Sequence, residues 1–223
     1  LSREDLDRFA LESHQKAAQA TESNFFDKEI LPIEGKNAEG INDLVMADEG
    51  IRFDASLDKL AGLKTVTEGG VITAGNASQI TDGAAAVMIC NDAGLKKIKS
   101  SPRAEIVSIS VVGDDPVFML TGPIPASIKA LETANLNIDD IDLYEVNEAF
   151  APVPLAWASE LKADRSKLNV NGGAMALGHP LGATGAKLMT TLIHEMERRE
   201  STYGLQAICE GGGTANATII KRL

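Results

Sequence analysis

The chain has 223 residues, of which 44% are hydrophobic and 24% charged, and its formal net charge at pH 7 is −11. Its length suffices for one large domain or two small ones with a real core, and its composition is typical of a soluble protein. The negative charge argues against a nucleic-acid partner, because binding phosphate groups requires a basic face, although a few local cations suffice for an anionic cofactor.

The predicted elements begin with a helix. Ser2 and Asp5 have the spacing of a capping box, with aspartate in place of the usual Glu or Gln, and the helix extends to about Thr21. The segments that follow are an extended stretch at residues 30–33, an irregular stretch rich in Gly, Asn and Asp at 35–56, a short helix at 57–63 and a polar loop at 73–82.

The composition changes near Gly83. The apolar run at residues 84–90 predicts a strand that is buried on both faces, and Cys90 within it is predicted to be a buried structural cysteine. Asn91 is then expected to cap a short basic helix.

Strands and helices alternate after about residue 100, which predicts a layered α/β domain. Pro152 and Pro154 indicate that the helix opening near residue 147 is kinked or begins later than its first residues suggest. One face of a long helix further on is apolar, through Leu188, Met189, Leu192, Ile193 and Met196. The predicted elements are strands at 106–112, 142–146, 205–209 and 217–221, and helices at 125–134, from 147 onward and at 183–199.

The residues able to carry chemistry are concentrated in two glycine-rich turns. His179 lies in GHPLGATG, where glycines let the backbone approach a ligand and the following helix offers unpaired N–H groups. A plain helix-entry turn or a phosphate cradle has the same features, but the residue order of a P-loop and the dinucleotide-binding spacing are both absent. His14 and His194 lie in helical patterns among charged residues, so we predict structural or solvent-facing roles for them.

The second turn begins at Cys209 and reads CEGGG. These glycines are expected to bare the sulfur and to place backbone N–H groups beside it, an arrangement that holds an oxyanion and favours a thiolate. A buried structural cysteine is the alternative. Asn147 follows a predicted strand and either caps a helix or turns its amide into a pocket, where it orients a water molecule or a carbonyl.

Three motifs occur in a defined order. NEAF begins at Asn147, GHPxGxxG follows about thirty residues later, and CxGGG follows after about thirty more. This order and spacing resemble the C-terminal half of a thiolase, a member of the acetyl-CoA acyltransferase family. The upstream segments SREDLDRFALESHQKAAQAT and GNASQITDGAAAVMI resemble the middle of a thiolase subunit. The resemblance implies an α/β fold in five layers, αβαβα, with a loop domain inserted in its first half.

The resemblance also implies a division of the chain and an activity. Residues 1–80 correspond to part of the loop domain that binds coenzyme A, residues 81–101 to the last element of the N-terminal half, and residues 102–223 to the C-terminal thiolase domain. The activity is thiolysis of 3-oxoacyl-CoA to acetyl-CoA and a shortened acyl-CoA, or the reverse Claisen condensation. Neither Cys90 nor Cys209 lies in the motif of the family's nucleophilic cysteine, so we expect the polypeptide to be inactive alone. The alternatives are a non-catalytic protein that binds coenzyme A and one half of a two-chain enzyme.

Four residues correspond to the family's catalytic positions. In thiolases a cysteine attacks the carbonyl of a 3-oxoacyl-CoA, and an acyl-enzyme forms as acetyl-CoA leaves. His179 matches the histidine that activates this cysteine and, with a water molecule held by Asn147, steadies the thioester oxyanion. Cys209 matches the acid/base that exchanges a proton with the acetyl α-carbon. The Gly211 N–H matches half of a second oxyanion hole.

The family's contacts to coenzyme A map onto four further positions. Ser78 matches a loop-domain contact to the pantetheine, Met119 and Phe150 match apolar positions that line its tunnel, and Arg52 is expected near the nucleotide. Coenzyme A is thereby a substrate, with no additional cofactor and no metal, and CoA thioesters are the expected partners. The family further implies a homodimer or tetramer.

The cellular location follows from what the sequence lacks. The chain has only two cysteines, which are too few for a disulfide framework. This number is typical of proteins in a reducing compartment. No apolar run approaches the roughly 20 residues of a membrane span, and no signal peptide opens the chain. These features predict a cytoplasmic protein with no membrane partner.

Overall fold

A computed structural model of the chain describes residues 1–36 and 40–223. Helix α1 spans Arg3–Glu22, and the predicted capping box is confirmed: Ser2 caps the helix and the Asp5 carboxylate accepts the Ser2 backbone N–H at 2.7 Å. This helix is firmly anchored, since one of its faces is buried through Leu6, Phe9, Ala10 and Ala17. Within the described residues no helix is long and apolar enough to cross a membrane.

A short exposed hairpin follows α1. Strand β1 (Ile33–Lys36) pairs antiparallel with β2 (Asn42–Val45). The prediction of irregular structure at 35–56 was therefore wrong over residues 35–36 and 42–45, and its part at 37–39 lies outside the described residues. Each strand is only four residues long and is stabilised mainly by pairing with the other. Their sequences therefore lack the alternation of apolar and polar residues from which a strand is predicted. Helix α2 (Leu57–Ala61), capped by Ser56, confirms the short helix predicted there.

The strand predicted at residues 84–90 is wrong, because this segment is irregular and exposed. Met88 and Ile89 are 75% and 73% exposed, and Cys90 is exposed as well, so its predicted structural burial is also wrong. A strand requires a neighbour that pairs with its backbone groups. Among the described residues no strand pairs with this run. Helix α3 (Asp92–Ile98) follows with Asn91 as its cap, as predicted.

One four-stranded sheet forms the centre of the C-terminal part. Its strands are β3 (Ala104–Gly113), β4 (Leu143–Val146), β5 (Tyr203–Cys209) and β6 (Thr214–Arg222), in the order β3-β6-β5-β4. The β4–β5 pair is parallel and the other two pairs are antiparallel. All four predicted strands of this region are confirmed, with β3, β5 and β6 longer than predicted. The parallel pair matters most, because both of its carboxyl ends lie at one edge of the sheet.

Helices cover both faces of this sheet, which confirms the α/β class. On one face, α4 (Pro123–Ala134) and α5 (Pro152–Leu161) enclose the main core, in which Trp157 is fully buried and meets Tyr144 edge to face at 5.2 Å. On the other face, α7 (Thr184–Arg198) packs its predicted apolar side on Leu143 and Ile220. The start of α5 at Pro152 confirms that this helix begins later than NEAF. The remaining elements are α6 (Ala174–Leu177) and short 3-10 helices at Ile138–Asp140 and Arg165–Lys167.

Glu29 is a nearly buried carboxyl beside α7 and gives the fold a testable pH dependence. Burial raises the pKa of Glu29 to about 7, against the opposing effects of the Thr191 hydroxyl, 3.0 Å away, and of Lys187. Asp48 and Glu195 raise this pKa further, and His194 Nδ1 lies 3.5 Å from the carboxylate. The folded state therefore holds this proton more tightly than the unfolded state, where the pKa is near 4.5.

Stability from this group is fully present below about pH 4.5 and is lost as the pH rises through 7, by about 3 kcal/mol at most. Glu29→Gln is expected to remove this loss, so the free energy of unfolding of the variant should fall less between pH 4.5 and 8. Urea titrations at several pH values measure this, with the exposed Glu160→Gln as control. Parallel pH curves for the Glu29 variant and the unmodified chain would contradict the expectation.

Candidate active site

The three motifs meet at the edge of the sheet where the parallel strands β4 and β5 end. Val146 pairs with Ala207 in the register of the two strands, and the Asn147 N–H donates to the Ala207 carbonyl at 3.0 Å. Asn147 thus emerges beside Cys209, which ends β5. The turn between α6 and α7 brings His179 to the same place. The carboxyl ends of strands are where α/β folds place their ligands.

Asn147 is the central residue of this arrangement. It is fully buried, its Nδ2 lies 3.4 Å from His179 Nε2, and its side chain is near enough to the Cys209 thiol to lower the pKa of that thiol. Its Oδ1 is buried and has no hydrogen-bond partner among the described residues. The helix-capping alternative is wrong, because α5 begins at Pro152 with Ala151 as its cap. Asn147 therefore connects the imidazole and the thiol and retains an acceptor in the site.

Cys209 is buried, so the expectation that the glycine turn exposes its sulfur to solvent is wrong. It is 8% exposed and packs in a small apolar cluster with Ala149, Val153, Phe150 and Leu120. Burial raises the pKa of the Cys209 thiol, whereas the nearby Asn147 side chain lowers it. The predicted preference for a thiolate is wrong for the same reason, since a charged sulfur loses its solvation there. At neutral pH the group is a neutral thiol, which is a proton donor.

The glycine turn after Cys209 is held by glycine-specific backbone and by one carboxylate. Gly212 and Gly213 have φ of 78° and 85°, and a Cβ on Gly213 would lie 2.7 Å from the Asp114 carbonyl oxygen. The Glu210 carboxylate accepts hydrogen bonds from the Thr214 hydroxyl and the Asn216 amide. Gly211 is exposed at the tip of the turn, where no other atom approaches its Cβ position. The turn is thus held in place by these contacts, and Gly211 is exposed at its tip.

His179 is half-buried and held on both sides of its ring. Nδ1 lies 2.7 Å from the Thr184 hydroxyl oxygen, and Nε2 faces Asn147. Burial lowers the pKa of His179, so the imidazole is neutral at pH 7. Gly178, just before it, has φ of 83°, and a Cβ there would lie 2.4 Å from the Thr81 hydroxyl oxygen. The glycine is therefore required for the close approach that aims His179 into the site.

The four residues predicted to contact coenzyme A divide into two groups. Ser78 donates its backbone N–H to Ala149 at 3.0 Å, and Phe150 packs in the cluster that contains Cys209, so both lie beside the catalytic candidates. Met119 precedes Leu120 of that cluster in a tight turn, with φ of 26°.

Arg52 follows Ile51, which packs with Ala176 and Leu177 in the segment that leads to His179. It is exposed, and its backbone N–H donates to His14 Nδ1 at 3.1 Å. His14 is buried and His194 is partly buried, its Nδ1 2.8 Å from the Thr190 carbonyl, which agrees with the structural roles predicted for both histidines. Within the described residues, none of the contacts of Arg52 connects it to His179 or Cys209.

Sequence reasoning missed Glu148, the second residue of NEAF. Its fully buried carboxylate accepts hydrogen bonds from the Ser13 hydroxyl at 2.7 Å, the Asn169 amide at 2.9 Å and the Met175 N–H at 3.1 Å. Asn169 also bonds both backbone groups of Val146, the last residue of β4. Ser13 lies 135 residues from Glu148 along the chain, so no local sequence pattern predicts their hydrogen bond. The network joins α1, the end of β4 and the segment that leads to His179.

Sequence and structure comparisons identify relatives of this chain. The family model for the thiolase C-terminal domain matches residues 100–222, and that for the thiolase N-terminal domain matches residues 1–93. The steroid 3-ketoacyl-CoA thiolase FadA6 of Mycobacterium tuberculosis is 54% identical over 223 residues, which are 100% of this chain and 53% of that protein.

Solved structures agree with these matches. The crystal structure of the Bacillus anthracis acetyl-CoA acetyltransferase matches with a TM-score of 0.95 at 43% identity, over 100% of this chain and 57% of that one. Human mitochondrial 3-ketoacyl-CoA thiolase in complex with CoA matches with a TM-score of 0.92 at 42% identity, over 100% and 55%. This chain spans about half the length of the curated relatives it matches. The domain boundaries at residues 80 and 101 stay predictions. The fold and the matched models together show that the chain belongs to the thiolase family.

Proposed function

We propose that this chain supplies the proton-transfer part of an acyltransferase active site, which moves acyl groups between coenzyme A and 3-oxoacyl-CoA. The reaction is thiolysis to acetyl-CoA and a shortened acyl-CoA, or the reverse condensation. The observation that carries the proposal is the position of Asn147, which contacts both His179 and Cys209 at the carboxyl ends of parallel strands. Membership of the thiolase family supports the same chemistry.

Each side chain suits the role proposed for it. A neutral His179 has a lone pair with which to take the proton of an attacking thiol. A neutral, buried Cys209 thiol donates a proton to the acetyl α-carbon and takes it back in the other direction. The free Asn147 Oδ1 accepts a hydrogen bond in the site, and the exposed Gly211 N–H stabilises an oxyanion.

The neighbouring positions are proposed to hold coenzyme A, a substrate here rather than a cofactor. Ser78, Phe150 and Met119 border the apolar cluster around Cys209, as expected for a pantetheine tunnel. Arg52 is exposed, which suits a contact to the charged nucleotide end. We also propose a homodimer or tetramer and a cytoplasmic location, the latter supported by two cysteines that are both free.

A fusion tests this function. The part of the Mycobacterium tuberculosis relative that this chain does not match is joined to the 223 residues, and loss of 3-oxoacyl-CoA enolate absorbance is followed with coenzyme A present. The fusion is expected to turn over, whereas the 223-residue polypeptide alone should not exceed a heat-killed control. The reason is that neither Cys90 nor Cys209 has the nucleophile's sequence setting, and proton-transfer groups do not replace a covalent route.

Two controls separate the alternatives. Turnover by the polypeptide alone, abolished by Cys90→Ser or Cys209→Ser, would show that one of these cysteines is the nucleophile. Turnover when the two parts are mixed unfused would favour a two-chain enzyme. A folded fusion that binds coenzyme A without turnover would favour the non-catalytic alternative and contradict the proposal.

A further inference from the structure

We infer that Thr184 is the positioning residue that fixes the tautomer and orientation of His179, so that Nδ1 carries the hydrogen and Nε2 presents its lone pair to the site. The Thr184 hydroxyl oxygen lies 2.7 Å from His179 Nδ1 and 3.0 Å from the Pro180 carbonyl oxygen. The inference deepens the proposed function, because it concerns the base of the same site.

The assignment follows from counting hydrogens. A threonine hydroxyl has one hydrogen, and the Pro180 carbonyl oxygen, which only accepts, lies 3.0 Å from it, so we assign the Thr184 hydrogen to Pro180. The Thr184 oxygen is then left with lone pairs toward His179, and the hydrogen between them must come from Nδ1. A neutral imidazole that carries its hydrogen on Nδ1 has a lone pair on Nε2.

The other side of the ring agrees with this tautomer. Asn147 Nδ2 faces His179 Nε2 at 3.4 Å, and an amide nitrogen only donates. A hydrogen on Nε2 would therefore place two donors against each other. The hydrogen-bond chain runs in one direction, from the Asn147 amide to the imidazole, from the imidazole to Thr184, and from Thr184 to the Pro180 carbonyl. A thiol that takes the place of the Asn147 amide at Nε2 meets a base, as the proposed function requires.

The position of Thr184 favours this direction of the hydrogen bonds. It is 3% exposed and is the first residue of α7, and the Pro180 carbonyl also accepts the Thr184 backbone N–H at 2.9 Å. Both groups of Thr184 thus bind the same carbonyl, which leaves its hydroxyl little freedom to rotate. Pro180, whose carbonyl ends the hydrogen-bond chain, is buried in the turn that carries His179.

The tautomer is measured directly by two-bond ¹H–¹⁵N correlation of the histidine rings in the ¹⁵N-labelled 223-residue chain at neutral pH. The chain carries its own references. His194 Nδ1 faces the Thr190 carbonyl at 2.8 Å and must donate, whereas His14 Nδ1 accepts the Arg52 N–H at 3.1 Å and must carry its hydrogen on Nε2. His179 is expected to show the His194 pattern in the unmodified chain.

Variants at Thr184 decide whether its hydroxyl is responsible. Thr184→Val is expected to move the His179 population toward the Nε2–H form, Thr184→Ala to do the same without added bulk, and Thr184→Ser to restore Nδ1–H. Thr190→Val is the matched control, because Thr190 lies on the same helix and donates its hydroxyl to the Ala186 carbonyl at 2.8 Å in the same way. It should leave His179 unchanged.

In the fusion, Thr184→Val should slow acylation roughly 10- to 100-fold, a fraction of what a positioned base contributes, with a smaller effect on KM. An Nε2–H pattern for His179 in the unmodified chain, or an unchanged pattern in both Thr184→Val and Thr184→Ala, overturns the inference. Because the spectrum needs no substrate, an inactive fusion would contradict the proposed function while the tautomer result still decides the role of Thr184.

Discussion

Glu148→Gln is expected to lower the free energy of unfolding by about 2–4 kcal/mol, whereas the same change at the neighbouring Glu145 should cost less than about 1 kcal/mol. Both carboxyls are buried, at 1% and 2% exposure, so size and burial are matched. They differ in their partners. Burial raises the pKa of both carboxyls, but three hydrogen bonds from donors oppose this effect at Glu148, whereas the pKa of Glu145 is raised well above its usual value.

The physical reason is the direction of the hydrogen bonds. Ser13, Asn169 and the Met175 N–H all donate to the Glu148 carboxylate, so an amide at this position turns its NH₂ against a donor. A Cβ on Gly173 would lie 2.3 Å from the Glu148 carboxyl carbon, so the carboxylate is closely enclosed there and has little room to relax. Burial raises the pKa of Glu145 and favours its protonated form, and its Oε2 has no partner in the described part of the chain, so glutamine replaces it with little change.

Urea denaturation of the 223-residue chain and of both variants measures the two free energies. A loss of 2–4 kcal/mol corresponds to a fall in melting temperature on the order of 10 °C for a chain of this size. Because the network lies next to Asn147, the Glu148 variant should also disturb the Asn147–His179 contact, which the imidazole ¹⁵N shifts report. Equal stabilities for the two variants would show that donor direction at Glu148 does not matter.

His179→Ala and Cys209→Ser are expected to block different steps in the fusion. His179→Ala should slow formation of the acyl-enzyme by a factor on the order of a hundred or more, because the attacking thiol loses its base and the oxyanion loses a donor. Cys209→Ser should still acylate but lose most thiolysis and condensation. A thiol, with an unperturbed pKa near 8.5, exchanges protons with the acetyl α-carbon, and an alcohol is far too weak an acid to do so at neutral pH.

Mass spectrometry of the acyl-enzyme after an early quench separates the two roles, and the enolate assay gives turnover for the same samples. Burial raises the pKa of the Cys209 thiol, which keeps it neutral and able to donate a proton at neutral pH. If Cys209→Ser failed to acylate while His179→Ala acylated normally, the two roles would be reversed. Circular dichroism of each variant shows that the differences do not come from unfolding.

Local signals in the sequence determined much of this protein. Patterns a few residues long predicted the capping residues Ser2 and Asn91, the apolar face of α7 and the four strands of the sheet. Such patterns are local because a cap binds the backbone of its own helix, and the spacing of apolar residues marks the face that becomes buried. The three motifs around Asn147, His179 and Cys209 identified the family from their order alone. Short-range chemistry was sufficient for these conclusions.

Only the tertiary structure decided how exposed the two cysteines are. Cys209 was expected to be bared and is buried, because Phe150 and Val153, more than fifty residues away in sequence, pack over it. Cys90 was expected to be buried and is exposed, because the apolar run at 84–90 has no strand beside it among the described residues. Burial depends on what lies on top of a segment, which its own residues do not encode.

The supporting residues of the site were likewise decided by tertiary structure. Glu148 and Ser13 are 135 residues apart, and their hydrogen bond exists only once α1 has packed against the end of β4. Thr184 lies five residues from His179, yet which nitrogen it meets depends on the turn through Pro180 and on Asn147 from another strand. The sequence by itself determined the chemistry of the reactive groups and the elements that carry them. Their protonation, tautomer and burial were decided by folding, because these properties come from neighbours that are distant along the chain.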